Sequence, residues 1–297
     1  MKLLFVTGKG GVGKSTVTAA LATFLASLKY KVGVVELGES RMSDFFNLPP
    51  IDYEGVDFNP HIKLFNLSAA SSFKEYAAQH LPKHLIGLLQ NKWTHSFIDA
   101  TPGLNEILLL GKIHSLATRS DFDFVLIDAP ATGHAISLCD APRIAYAALQ
   151  HGPLKSTVGE IWDLLHDSKQ THFLIVTQLE PGIVQETFEL YTHLTRVLQL
   201  SVKGLIVNGL LPEEPVFTGK IPDSVPEAMK GLVDLVKVLQ DKFKRQKKIL
   251  ENFSKTFPLS LTTLFWNGIT TDESHLRQTI GLELKQWVLK NYSTKKS

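Results

Sequence analysis

The chain has 297 residues, 44% of them apolar and 20% charged, with a formal net charge of +2. That balance can bury a large core and gives no reason to expect nucleic acid as an obligate partner. The single cysteine, Cys139, excludes disulfide frameworks, a C-x-x-C zinc clasp and an iron–sulfur cluster held by this chain alone; it reads as a small buried apolar residue.

The first apolar run, KLLFV at 2–6, meets glycine and lysine before reaching the ~7–15 residues of a secretory h-region. It reads as a buried strand of a cytoplasmic protein, and no run approaches the ~18–20 apolar residues of a membrane span. VTGKGGVGKST follows at 6–16. Gly8, Gly13, Lys14 and Ser15 satisfy the phosphate-loop pattern G-x-x-x-x-G-K-[ST]. An alanine-rich helical pattern continues over 14–30, with Val17, Leu21, Phe24, Leu25 and Leu28 expected on one stripe. Strand, glycine-rich turn and helix start build an anion site from converging N–H groups and the helix dipole. Gly8, Gly10, Gly11, Val12, Gly13 and Thr16 are its expected backbone. Lys14 is expected on the β- and γ-phosphates, and Ser15 on Mg²⁺. Lys9 is not required by the pattern. An ammonium at the loop's outer lip can reach a nucleotide held by a facing copy, as an arginine finger does in trans. An ordinary exposed loop lysine is the alternative.

KVGVVEL (31–37), FDFVLIDA (122–129), HFLIVTQ (172–178) and VKGLIVNGL (202–210) are four more nearly continuous apolar runs, the signature of strands covered on both faces. Alternation with helical patterns predicts an α/β fold with a parallel, doubly wound sheet flanked by helices. Residues 73–117 contain no strand pattern. They read as helices, FKEYAAQHL, HLIGLLQNKW and LNEILLLGKIHSL, forming either core crossover helices or a lobe that grips something apolar. Asp128 ends its strand where a Walker B aspartate holds Mg²⁺ through water. His134 reads equally as a structural loop histidine or a catalytic group. Asn208 can donate and accept, so it can pair with a purine edge or cap a strand end. Residues 226–257 carry Leu232, Val236, Leu239 and Phe243 at helical spacing, with the basic run KFKRQKK at 242–248. A solvated face is the default for that run, nucleic-acid binding the lesser option. Ile280, Leu284, Trp287 and Val288 make the terminal helix amphipathic, docked on its own domain or laid on a membrane surface.

KGGVGKST resembles the deviant Walker A motif of a family of dimeric, SIMIBI-class ATPases. That family includes the arsenite-pump ATPase, the tail-anchored-protein-targeting ATPase, the Min and plasmid-partition ATPases and the nitrogenase iron protein. DAPATGH (128–134) resembles the switch II segment D-x-A-P-T-G-H of the ArsA-like and tail-anchored-targeting branch, with Ala131 before the matching Thr132, Gly133 and His134. TPGLNE (101–106) resembles P-G-x-D-E, with Asn105 in place of the acid. TQLEPGIVQET (177–187) matches through Glu180, Glu186 and Thr187, and FKRQKKILENF resembles an Arg- and Gln-bearing helix. LIVNGLLP (205–212) resembles a segment whose asparagine recognises adenine, which implies that role for Asn208. The resemblance also implies ATP and Mg²⁺ as bound species, a homodimer or a heterodimer with a related chain, and a Lys9 that crosses to the partner's nucleotide.

Two departures stand out. The switch I pattern D-P-A-x-x-x-S-D is replaced by VVELGESRMSDFF (34–46), which puts Leu37 where a water-orienting aspartate belongs. Either Glu36 or Glu39 takes over, or hydrolysis is slow. With one cysteine and three methionines, neither a cysteine-bound arsenite nor a methionine-rich client groove carries over. The expectation is one P-loop ATPase domain over 1–297, with a helical lobe inserted between switch I and the Walker B strand. It would be an ATP-hydrolysing dimeric switch that grips and releases a partner, an apolar segment or a membrane protein. The alternatives are a membrane-surface or nucleic-acid positioning ATPase of the Min or partition type, or a low-hydrolysis subunit acting beside a paralogue.

Overall fold

A computed structural model describes residues 1–38, 41–80, 101, 103–119, 121–211, 230–257, 259–265 and 272–292. Its centre is a sheet of eight strands: β1 (Lys2–Gly8), β2 (Val32–Leu37), β3 (Val56–Asn59), β4 (Ile62–Leu67), β5 (Phe124–Ala131), β6 (Thr171–Thr177), β7 (Val202–Leu210) and β8 (Leu261–Phe265). The spatial order is β3-β4-β2-β5-β1-β6-β7-β8. Every pairing is parallel except β3 with β4. The five apolar runs became the five central strands, because each buries both faces. Leu4 and Val6 of β1 face one core with Leu126, Leu174 and Val176. Leu3 and Phe5 face the other with Val125, Ile127, Phe173 and Ile175. A period of two with no polar member is what a strand between two helical layers requires.

The first core is closed by α1 (Lys14–Ser27), α2 (Met42–Phe46) and α9 (Glu273–Tyr292). The stripe expected on α1 is a correction: Leu28 is 41% exposed, while Val17 through Ala22, Phe24, Leu25 and Ala26 are buried around most of the helix. Helix α1 is sandwiched between the sheet and α9, so small alanines serve better than a single apolar edge. The stripe of α9 is spent on the same core, with Ile280, Leu284, Trp287, Val288 and Tyr292 all buried. That removes the ground for laying this helix on a membrane. Among the described residues no helix is long and apolar enough to cross one.

The opposite face carries α4 (Leu104–Arg119), α5 (Thr132–Ala148), α6 (Pro153–His166) and α7 (Pro181–Thr192), with α3 (Ala69–His80) against α4. Helix α8 (Lys230–Thr256) buries Phe253 and Gln246. Two of the helices expected between 73 and 117 are therefore present; HLIGLLQNKW lies outside the described residues. The edge strands carried no long apolar run. The turn between β3 and β4 is held by Asn59, whose Oδ1 accepts from the N–H groups of His61 and Ile62 at 2.8 and 2.9 Å.

Candidate functional site

Among the described residues, the loop 8–13, Glu36, Asp128 and Asn208 lie toward the carboxyl ends of β1, β2, β5 and β7. In an open α/β sheet the carboxyl ends of the strands, where neighbouring crossovers diverge, form the ligand crevice. Here β1 lies between β5 and β6. Its loop, 8–13, rises between them and feeds α1. Gly8 has φ +149°, and a Cβ there would stand 2.1 Å from the Val176 carbonyl oxygen. Gly13 has φ +93°, and a Cβ would meet Asn208 Nδ2 at 2.3 Å. Both glycines are forced by a neighbouring strand as well as by the turn. Gly10 and Gly11, by contrast, face open space at the crest of the loop. Val12 is fully buried, and its carbonyl accepts from Asn208 Nδ2 at 2.9 Å. Thr16 lies half-buried in the first turn of α1.

Lys14 and Asp128 carry the electrostatics. Lys14 Nζ donates to the Lys9 carbonyl at 3.1 Å, so the ammonium folds over the loop. Burial lowers its pKa, Asp128 opposes that, and Arg41 adds to it. Asp128 pairs in register with Glu36 on β2 and with Val6 on β1. One of its oxygens, Oδ2, accepts from the Ser15 hydroxyl at 2.6 Å. The other, Oδ1, is buried with no hydrogen-bond partner. Burial pushes the carboxyl pKa up, against the Ser15 hydrogen bond and the charges of Lys14 and Arg41. A buried carboxylate with one orphaned oxygen beside a serine hydroxyl is a donor set that suits Mg²⁺ completed by phosphate and water. Among the described residues no three His, Cys, Asp or Glu side chains group to hold a metal by themselves.

The switch I candidates behave differently. Glu36 is 3% exposed. Its carboxylate accepts from the backbone N–H of Arg41 at 2.5 Å and of Met42 at 3.2 Å, closing the turn into α2. Leu37 packs at the margin of the second core. Glu39 lies outside the described residues. Arg41 was passed over in the sequence, although its charge reaches both Lys14 and Asp128; a basic residue inside SRMSDFF was the available signal. Lys9 Nζ forms an ion pair with Glu186 on α7 of the same chain. Helix α7 is fastened to β6 by the Thr177–Thr187 hydroxyl pair at 2.7 Å. His134 stands exposed in the first turn of α5.

A second cavity, of about 360 Å³, lies among α3, α4 and α6. Its walls include Tyr53, Glu75, Lys112, His114, Thr157 and Glu160. Lys112 pairs with Glu75 at 2.7 Å and lies 4.5 Å from the Tyr53 ring centre. Ile107, Leu108 and Leu154 line it as well, so its walls mix polar and apolar groups.

Asp128 does not end its strand as expected, since β5 continues to Ala131; a mostly parallel sheet with a glycine loop between β1 and α1, and an aspartate in the last half of the adjacent strand, still defines the P-loop nucleoside-triphosphatase class. The profile of the anion-transporting ATPase family matches residues 1–161. ATPase BagA of Mycobacterium tuberculosis is 31% identical over 248 residues, 79% of this chain and 71% of that protein. An arsenical pump-driving ATPase of Escherichia coli is 26% identical over 70% of this chain and 39% of its own length. ATPase asna-1 of Caenorhabditis elegans is 27% identical over 48% of this chain and 46% of its own. The chain belongs to the anion-transporting, ArsA-like ATPase family, and it is an ATPase.

Proposed function

We propose that the protein is a Mg²⁺- and ATP-dependent dimeric switch whose nucleotide state is read by the helices on the second face of the sheet. The observation that carries this is the Ser15–Asp128 contact with the orphaned Asp128 Oδ1 beside Lys14. In this reading the loop N–H groups and Lys14 take the β- and γ-phosphates. Ser15 and Asp128 hold Mg²⁺, which would neutralise charge on the phosphates. Arg41 adds a third cation at the same place. Asn208 reads the base. Lys9 leaves Glu186 and crosses to the nucleotide of a second copy or of a related chain. Helix α5 starts four residues after Asp128 and ends with Ile144 and Tyr146, 54% and 50% exposed. A rearrangement at 128–134 would thereby be carried along α5 to these exposed side chains. They support an apolar or membrane-protein client, while the cavity beside α4, with polar and apolar walls, favours a partner with polar groups as well. A second reading, slow turnover beside a paralogue, is favoured by one observation: Glu36 is engaged with the backbone of α2 and Leu37 has no acid to offer.

Lys14→Ala is expected to lower ATPase activity by at least about a hundredfold and to weaken ATP binding. Lys9→Ala is expected to keep ATP binding, lose ATP-dependent dimers in light scattering, and lower turnover by at least about tenfold. Unchanged turnover and dimerisation in Lys9→Ala would end the cross-subunit reading while leaving the ATPase intact.

A further inference from the structure

Gln246 belongs to the basic run of α8, yet it is 4% exposed. Its Nε2 donates to the Gly209 carbonyl at 3.1 Å, and its Oε1 accepts from the Leu211 N–H at 3.0 Å. The amide orientation follows from the partners, since a carbonyl can only accept and an N–H only donate. Both main-chain groups lie just after Asn208. At that point β7 leaves its register with β8: pairing is regular up to Val207 with Thr263 and resumes at Leu210 with Phe265. Gly209 sits at φ +72° in the gap. One side chain thus supplies the donor and the acceptor that an adjacent strand would have supplied there.

The consequence falls on Asn208. One N–H of its Nδ2 is held by the Val12 carbonyl at 2.9 Å, which fixes the amide and leaves Oδ1 as acceptor and the second N–H as donor for a ligand. An amide held in this way offers an acceptor and a donor side by side, which suits a ring amino group next to a ring nitrogen and opposes a ring carbonyl.

We propose that Gln246 is a positioning residue for nucleotide selection: by bridging Gly209 and Leu211 it fixes the strand end that aims Asn208, and so sets the preference for a 6-aminopurine over a 6-oxopurine. Gln246 acts through the main chain and does not touch the nucleotide. The proposal rests on Asn208 as the base-reading group, as given above.

The test compares binding of ATP, ADP and GTP by calorimetry, with steady-state kinetics, for the wild type, Gln246→Leu, Asn208→Ala and the double variant. Gln246→Leu should weaken ATP and ADP alike by about tenfold, leave GTP within about twofold, and raise KM for ATP with kcat nearly unchanged. In the Asn208→Ala background the same change should add less than about twofold, because the two residues act through one contact. Gln246→Asn, one methylene too short to span both groups, should reproduce the loss of preference if Gln246→Leu does not fold. A lower Tm with the ATP-to-GTP ratio intact would assign Gln246 a structural role only and overturn the proposal. No change of that ratio in Asn208→Ala would overturn the base-reading role of Asn208 itself, and the proposal with it.

Discussion

The phosphate loop and the segment 36–46 flank the same aspartate, and the chain treats them differently. In the loop, Gly8 and Gly13 are held tightly by Val176 and Asn208, Lys14 rests on the Lys9 carbonyl and Ser15 touches Asp128. Across β5, the carboxylate that stands in register with Asp128 is Glu36, and it is spent on two backbone N–H groups of the turn into α2. The next residue is Leu37. One flank fits a triphosphate; on the other, among the described residues, the carboxylate in register with Asp128 is already engaged. Binding and turnover are therefore expected to respond separately to substitution.

The change with the largest expected effect places a carboxylate at position 37. Leu37→Asp should raise kcat by at least about tenfold, short of the ~10²–10⁴-fold of a fully positioned acid–base group, with KM for ATP little changed. Leu37 lies at the core margin, so some loss of Tm is expected alongside. A variant that folds, binds ATP and turns over no faster would mean that the segment is already competent, through Arg41 or Glu39. A smaller effect belongs to the Lys9–Glu186 pair. Its side chains are 37% and 39% exposed, so it is worth no more than about 1 kcal/mol. Glu186→Gln should accordingly favour the ATP-dependent dimer by at most about fivefold, read as a shift of the dimerisation midpoint in sedimentation. A weaker dimer would assign Glu186 a task at the interface in place of holding Lys9 back.

The division between the flanks was only half visible in the sequence. The five central strands and the phosphate loop were legible because their physics is local: a run buried on both faces must be continuously apolar, and a loop that cradles an anion must be rich in glycine. Strands β3, β4 and β8 were not: β3 and β8 are edge strands, and β4, beside β3, has its apolar residues interrupted by Lys63 and Asn66. Leu37 was legible as an absence, but the engagement of Glu36 was not, because its partners are backbone groups brought near by a turn. Two further contacts join residues far apart in the chain, Lys9 to Glu186 across 177 positions and Asn208 to Val12 across 196. No periodicity encodes them; they exist because β1, β6 and β7 lie side by side and end at the same level. Arg41 was missed for the same reason, and Gln246, marked only through the resemblance of its helix, had no partner until the fold gave it one.

The smallest expected effect is a stability shift, and it bears on why Asp128 keeps an unpartnered oxygen. Burial is the leading cause of its raised pKa, so the folded protein holds the carboxylate less readily than the unfolded chain does. A group whose folded pKa lies above its unfolded value favours the fold most when it is protonated, and that advantage is lost as pH rises through the folded pKa. At neutral pH, without metal or nucleotide, Asp128 is therefore a net cost. Asp128→Asn removes the buried charge and keeps the acceptor that Ser15 uses. It should melt a few degrees higher than the wild type at pH 7, and the gap should close as pH falls toward the ordinary carboxylate value near 3.8, where both side chains are neutral. Mg²⁺ with ATP should reverse the order, stabilising the wild type and not the variant. Equal melting at pH 7 would mean that Lys14 and Arg41 already compensate the charge in full, and the proposal that Asp128 serves a Mg²⁺ ion would lose its energetic support.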